Sequence, residues 1–222
     1  MSELSLINSS VSKYATPENE LAVTKSGDWL PYVGLFGGES QAAKLGKVSI
    51  GNFGLCPNSD TIIDLGNEFI CIVYSWRPKA IDFNGETSGL PPDQCPVAFY
   101  DPASEGFLKI QAHPKGGYGP ELLLWLDEQK QWCTYHLMNK TGRRESSNFL
   151  VDFKEQGFGK LKVRSEVIKT PQYVWHGPKA TPYELALEAP EDNEANRVIL
   201  EKFNNPPAST TEVKSAEESK RE

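Results

Sequence analysis

The stretch ELLLWLDEQKQWCTYHLM, Glu121 to Met138, is apolar on both sides of a polar tip and reads as a β-hairpin. Whether the tip is Glu128-Gln129 or the longer Asp127 to Lys130, the register is the same. Trp125 faces Trp132, Leu123 faces Thr134 and Glu121 faces His136, all on one side of the ribbon. The other side carries Leu122, Leu124, Leu126, Cys133, Tyr135 and Leu137, and is a core face. The tryptophan pair therefore lies in the more polar company. Two readings follow: the rings stack the bases of a single nucleic-acid strand, or they pack beneath another element of the fold.

Outward from the hairpin the punctuation is Gly and Pro, at intervals that suit strands. KVSIGNFGL (47–55) is a candidate strand with a glycine-weakened middle, and EFICIVYSW (68–76) is β-branched and aromatic throughout, a strand buried on both faces. WRPKAIDF bends it at Pro78, which lacks a ladder donor. The Gly/Pro-rich stretch 84–96 is a loop, and VAFYD (97–101) is a short strand or its fringe. RRESSNFLVDFKEQG (143–157) places Phe149, Leu150 and Phe153 at helical spacing, with Gly157 as a C-terminal stop. KLKVRSEVIK (160–169) alternates, with Leu161, Val163 and Val167 on one side and Lys160, Lys162 and Arg164 on the other. PQYVWHGP holds Tyr173 and Trp175 on a separate extended piece. EDNEANRVILEKF (191–203) has acids in its first turn and Ala195, Val198, Ile199 and Phe203 as its stripe, which predicts a docked C-terminal helix.

These elements predict a mainly β protein with few helices: an OB-like antiparallel barrel or sheet with one helix packed on it and a C-terminal helix. The predicted organisation is a disordered N-terminal arm over 1–26, one β-rich domain over 27–203 and a disordered charged tail over 204–222. No apolar run approaches the roughly 18 residues of a membrane helix, and the first residues have no signal layout, so the cytoplasm is the expected compartment. Cys56, Cys71, Cys95 and Cys133 are far apart, and with His113, His136 and His176 they make no metal-site spacing, so reduced thiols and no metal or cofactor are expected.

A formal net charge of -7 argues against a simple basic nucleic-acid binder, but the charge is unevenly spread. From Lys140 to Thr181 there are nine Lys/Arg against four Asp/Glu, and from Pro182 onward ten Asp/Glu against five Lys/Arg. Basic residues interleaved with rings are the pattern a phosphate backbone with bases requires. The candidate nucleic-acid residues are accordingly Trp125, Trp132, Trp76 and Trp175 for stacking, and Arg77, Lys79, Arg143, Arg144, Lys160, Lys162 and Arg164 for phosphate. Cations on an outer strand face are equally the mark of an ordinary solvated surface. The acidic C-terminal segment is placed to fold back onto a basic groove or to recruit partner proteins. GLFGGES (34–40) has no Gly-Lys-Ser/Thr ending, no hydrolase elbow or zinc pair is present, and the expectation is a protein without enzymatic activity.

The runs GDWLPYVGLFG (27–37), DLGNEFICIVYSWRPKA (64–80), GYGPELLLWL (117–126) and NKTGRRES (139–146) resemble a group of tailed-bacteriophage proteins, mostly without an assigned activity, over Gly27 to Pro182. In plan alone the chain is similar to phage single-stranded DNA-binding proteins, which are acidic overall with one OB-like domain and a charged C-terminal tail. That resemblance implies a bacteriophage protein acting on single-stranded DNA in replication or recombination, in the host cytoplasm, with replication or recombination proteins as partners of the acidic segment. The alternative is a virion or host-interaction protein that uses the same hairpin face for protein contact.

Overall fold

The computed structural model describes residues 23–25, 30–57, 61–91 and 94–206. The arm expected over 1–26 and the tail expected over 204–222 fall outside this range, apart from 23–25 and 204–206. The strands are β1 (Val23–Lys25), β2 (Tyr32–Leu35), β3 (Phe53–Cys56), β4 (Ile63–Gly66), β5 (Glu68–Asp82), β6 (Val97–Phe99), β7 (Gly117–Leu126), β8 (Gln131–His136), β9 (Gly159–Lys169) and β10 (Val174–Pro182). The helices are α1 (Gln41–Lys44), α2 (Glu105–Ala112), α3 (Lys140–Phe149), α4 (Val151–Gln156) and α5 (Glu194–Asn204). The expectation of a mainly β chain holds. The sheet is an open, strongly curled one of ten strands among the described residues, in the order β1-β6-β5-β7-β8-β2-β3-β4, with β9 also on β5 and β10 on β9.

β5 organises the sheet. One edge pairs with β7 from Cys71 to Ile81, while the other is divided between β9, along Glu68–Val73, and β6, along Ala80–Asp82. Pro78 does not bend β5 away, because Pro120 stands opposite it and neither residue has a donor to lose. The irregularity falls earlier, as a bulge between Val73 and Ser75. It turns two consecutive side chains outward: Tyr74 packs edge-on to Trp132 and Ser75 Oγ donates to Asn204 Oδ1 on α5.

The β7–β8 register is the one the sequence predicts, Trp125 opposite Trp132 and Glu121 opposite His136, with Asp127 to Lys130 as the tip. Leu122, Leu124, Leu126, Cys133 and Tyr135 enter the inner core of the curled sheet with Phe53, Leu55, Phe69, Val73, Leu161 and Val163. Helices α3 and α4 close that core with Phe149, Leu150 and Phe153. The single helix expected over 143–157 is thus two: Asn139 caps α3, the helix breaks at Leu150, and Gly157 at φ 78° ends α4 as predicted.

Other boundaries shift for local reasons. Of the strand expected over 47–55 only Phe53–Cys56 is extended. The residues before it turn at Gly51 (φ 84°), where a Cβ would collide with the His176 ring on β10. The piece carrying Trp175 is not separate but pairs with β9 along its whole length. Helix α2 has no counterpart in the sequence reading, since EGFLKIQA carries only Phe107 and Ile110 as buried positions. On α5 the buried stripe is Leu200 and Phe203 with Ile199 beside them, whereas Ala195 and Val198 face solvent. Cys56, Cys71 and Cys133 are buried free thiols and Cys95 is half-buried.

Candidate nucleic-acid interface

The outer face of the β7–β8 hairpin is covered. Trp125 and Trp132 lie edge to face, 5.5 Å between ring centroids, beneath α5 and the stretch 183–193 that leads to it. The Trp125 indole N–H donates to the Glu188 carbonyl at 2.9 Å and the Trp132 indole N–H to Asn196 Oδ1 at 2.8 Å. Lys130 fastens the same stretch through Asp127 (2.7 Å) and Glu188 (2.6 Å). At 8 % and 5 % exposure the two rings offer no face to a base while α5 is docked. Their role in this arrangement is packing, and the acidic segment folds back onto these rings, with Glu188 also paired to Lys130.

Arg77 and Lys79 also point to this outer face, but both converge on buried Glu121. Arg77 Nε donates to Glu121 Oε2 at 2.8 Å and Lys79 Nζ to Glu121 Oε1 at 2.5 Å. The Arg77 guanidinium also donates to the Phe203 carbonyl and lies between the rings of Tyr100 (4.0 Å) and Phe203 (4.2 Å). Burial pushes the Glu121 carboxyl up, yet the Lys79 ammonium and the Arg77 guanidinium outweigh it and hold the group at about 2. His136 donates from Nε2 to the Lys79 carbonyl, and burial with the nearby Lys79 charge lowers it to about 4. Trp76, on the opposite side of β5, packs on the inner core. Arg143 is used internally as well: its guanidinium lies over the Tyr118 ring and donates to the carbonyls of Tyr118 and Met138. These six candidates, Trp125, Trp132, Trp76, Arg77, Lys79 and Arg143, all pack or pair within the fold.

The remaining five gather on and beside the β9–β10 ribbon. Lys160, Lys162 and Arg164 alternate along one face of β9, each about 6.6 Å from the next. In the antiparallel register Lys179 stands opposite Arg164 and Trp175 opposite Ile168, so both join that face. Trp175 keeps 37 % of its surface exposed and donates from Nε1 to Thr141 Oγ1 in the first turn of α3. Arg144, one helical turn beyond Thr141, is exposed. At the hairpin tip Tyr173 and Val174 are exposed too.

Three of the cations on this ribbon have carboxylate neighbours: Lys162 with Glu68 (2.7 Å), Arg164 with Glu166 (3.1 Å) and Lys179 with Glu145 (3.3 Å). Such half-exposed pairs contribute about 0–1 kcal/mol, so a phosphate oxygen can replace the carboxylate at little cost. Lys179 and Tyr183 were not legible as members of this face. Their signal is the alternation of WHGPKATPY, which aligns with β9 only once the two are paired as a hairpin. Among the described residues no group of three His, Cys, Asp or Glu could hold a metal, and no helix is long and apolar enough to cross a membrane. No protein-family model, curated protein or solved structure matches the chain.

Proposed function

We propose that the protein is a non-enzymatic single-stranded DNA-binding protein of a bacteriophage, acting in replication or recombination in the host cytoplasm, and that the strand runs along the outer face of β9 and β10. The observation that carries this reading is the division of the outer surface. The tryptophan half is covered by the C-terminal segment, and the adjoining half sets Lys160, Lys162, Arg164, Lys179 and Trp175 on one face, Arg164 and Trp175 exposed and the three lysines half-buried.

The strand order supports an OB-like frame for the same proposal. β5, β7 and β8 form a meander, the helices α3 and α4 follow, and β9 returns to pair with β5 before β10 pairs with β9. In OB-folds oligonucleotides bind the face of the second and third strands and the loops joining strands one to two and four to five. Here the former is the covered hairpin and the latter is the β9–β10 tip with Tyr173. Replication or recombination proteins are the partners proposed for the acidic segment.

Fluorescence anisotropy of a labelled mixed-sequence oligonucleotide of about 16 nucleotides tests the reading, beside a duplex control. The single strand binds more tightly, and affinity falls between about 50 and about 200 mM salt. The triple variant K160A/K162A/R164A reduces the salt slope by about 2, as expected for three phosphate contacts on a single strand. Equal binding of duplex, or a triple variant that binds with the parent's slope, overturns it.

A second reading, contact with a virion or host protein, is favoured by the apolar exposure of Val167, Tyr173 and Val174. In that case V167S/V174S abolishes the protein complex, and the cationic triple variant does not.

A further inference from the structure

Where α4, the start of β9 and the first residue after β10 meet, Asp152, Gln156, Phe158, Lys160 and Tyr183 line a cleft of about 190 Å³. Each wall is fixed by the local fold. Asp152 and Gln156 are four residues apart on α4 and share a face of it. Gly157, in the left-handed conformation, returns the chain toward the sheet, and Phe158 rests against the outer aromatic cluster. At Gly159 α4 packs directly on β9, close enough that a Cβ there would lie in ordinary van der Waals contact with Asp152 Cβ at 3.5 Å. The backbone N–H of Tyr183 donates to the Lys160 carbonyl at 2.9 Å, which holds its ring at the edge of the cleft.

The polar groups of this cleft are unspent. Among the described residues the side chains of Asp152, Gln156, Lys160 and Tyr183 make no hydrogen bond or ion pair, whereas Lys162, Arg164 and Lys179 nearby each have a carboxylate. Convergent polar groups without partners, set beside the two rings of Phe158 and Tyr183, are an arrangement that can receive a ligand. Two rings, one acceptor-only carboxylate, one amide that both donates and accepts, and one ammonium are the complement of a nucleotide. The rings take the base, the carboxylate and amide take its edge, and the ammonium takes the phosphate.

We infer that this cleft is a nucleobase subsite that favours bases presenting an exocyclic amino group, cytosine and adenine, over thymine; the inference rests on the single-stranded DNA reading above. The discrimination comes from Asp152. Its oxygens can only accept, so they receive a hydrogen bond from the exocyclic amino group at cytosine N4 or adenine N6, whereas thymine offers only its N3–H, flanked on both sides by the acceptors O2 and O4 that repel the carboxylate. Lys160 opens the line that continues through Lys162 and Arg164, so the strand enters the cleft at one end of the cationic face.

Competition anisotropy on the full chain with oligo(dC), oligo(dA) and oligo(dT) of equal length tests it. Oligo(dC) and oligo(dA) bind about tenfold more tightly than oligo(dT), within the range of one good base-edge contact. Asp152→Asn, which keeps the shape and adds a donor for thymine O4, brings the ratio near one. Equal affinities in the parent protein, or a preference unchanged in Asp152→Asn, overturn the subsite and leave the single-strand reading standing. Failure to bind any of the three oligonucleotides overturns both.

Discussion

Trp132→Ala lowers the stability of the protein by about 3–5 kcal/mol, and Trp125→Ala acts in the same direction. Trp132 is the centre of the outer cluster, in contact with Tyr74 at 5.0 Å and Trp125 at 5.5 Å between ring centroids. Its removal leaves a cavity under α5 and strips Asn196 Oδ1 of its indole donor. The unfolding midpoint in urea shifts accordingly, and limited proteolysis cuts first between Tyr183 and Asn204. At a denaturant-free concentration where the variant is still folded, oligonucleotide affinity stays within about twofold of the parent. A variant that keeps its stability but loses binding would return the pair to the ligand site.

Glu121→Gln is the second large effect, expected at about 3–5 kcal/mol, because it leaves the charges of Arg77 and Lys79 facing each other in a half-buried site with no anion between them. The same cluster makes the protein sensitive to acid. Between 6.5 and about 4 the unfolded chain protonates His136 and the folded chain does not, and between 4.5 and about 2 the same holds for Glu121. In both windows the unfolded state binds more protons, so stability declines continuously as pH falls from neutrality toward 2. Urea titrations at pH steps through this range measure the slope. Glu121→Gln flattens its lower part, and an unchanged profile would place the acid-labile group elsewhere.

The hairpin at the centre of the chain was fully legible, register included, because either reading of its polar tip, Glu128-Gln129 or Asp127 to Lys130, gives the same pairing and keeps Leu122, Leu124, Leu126, Cys133 and Tyr135 together. What covered its second face was not. The C-terminal helix was legible as a helix, but its docked side is Asn196, Ile199, Leu200 and Phe203, and the polar Asn196 is there for the Trp132 indole, which no periodicity reveals. Composition likewise cannot separate a cation reserved for a buried carboxylate from one available to a phosphate. Arg77 and Lys79 look, in WRPKA, like Lys160 and Lys162 in KLKV. Only the pairing of β5 with β7, which sets Glu121 opposite Arg77, tells them apart. The candidate site was half readable for the same reason: β9 announced its basic face by itself, while Lys179 and Tyr183 needed the β10 register.

The clasp of Arg77 on Phe203 joins positions that leave the ribosome far apart in time. At about 5–20 residues per second the Trp125–Trp132 ribbon is complete several seconds before Phe203 has been synthesised. During that interval the nascent sheet carries a bare aromatic face, the kind of surface that chaperones hold and that neighbouring nascent chains adhere to. Premature termination between Pro182 and α5 therefore yields a polypeptide that has its sheet strands and a permanently uncovered tryptophan patch.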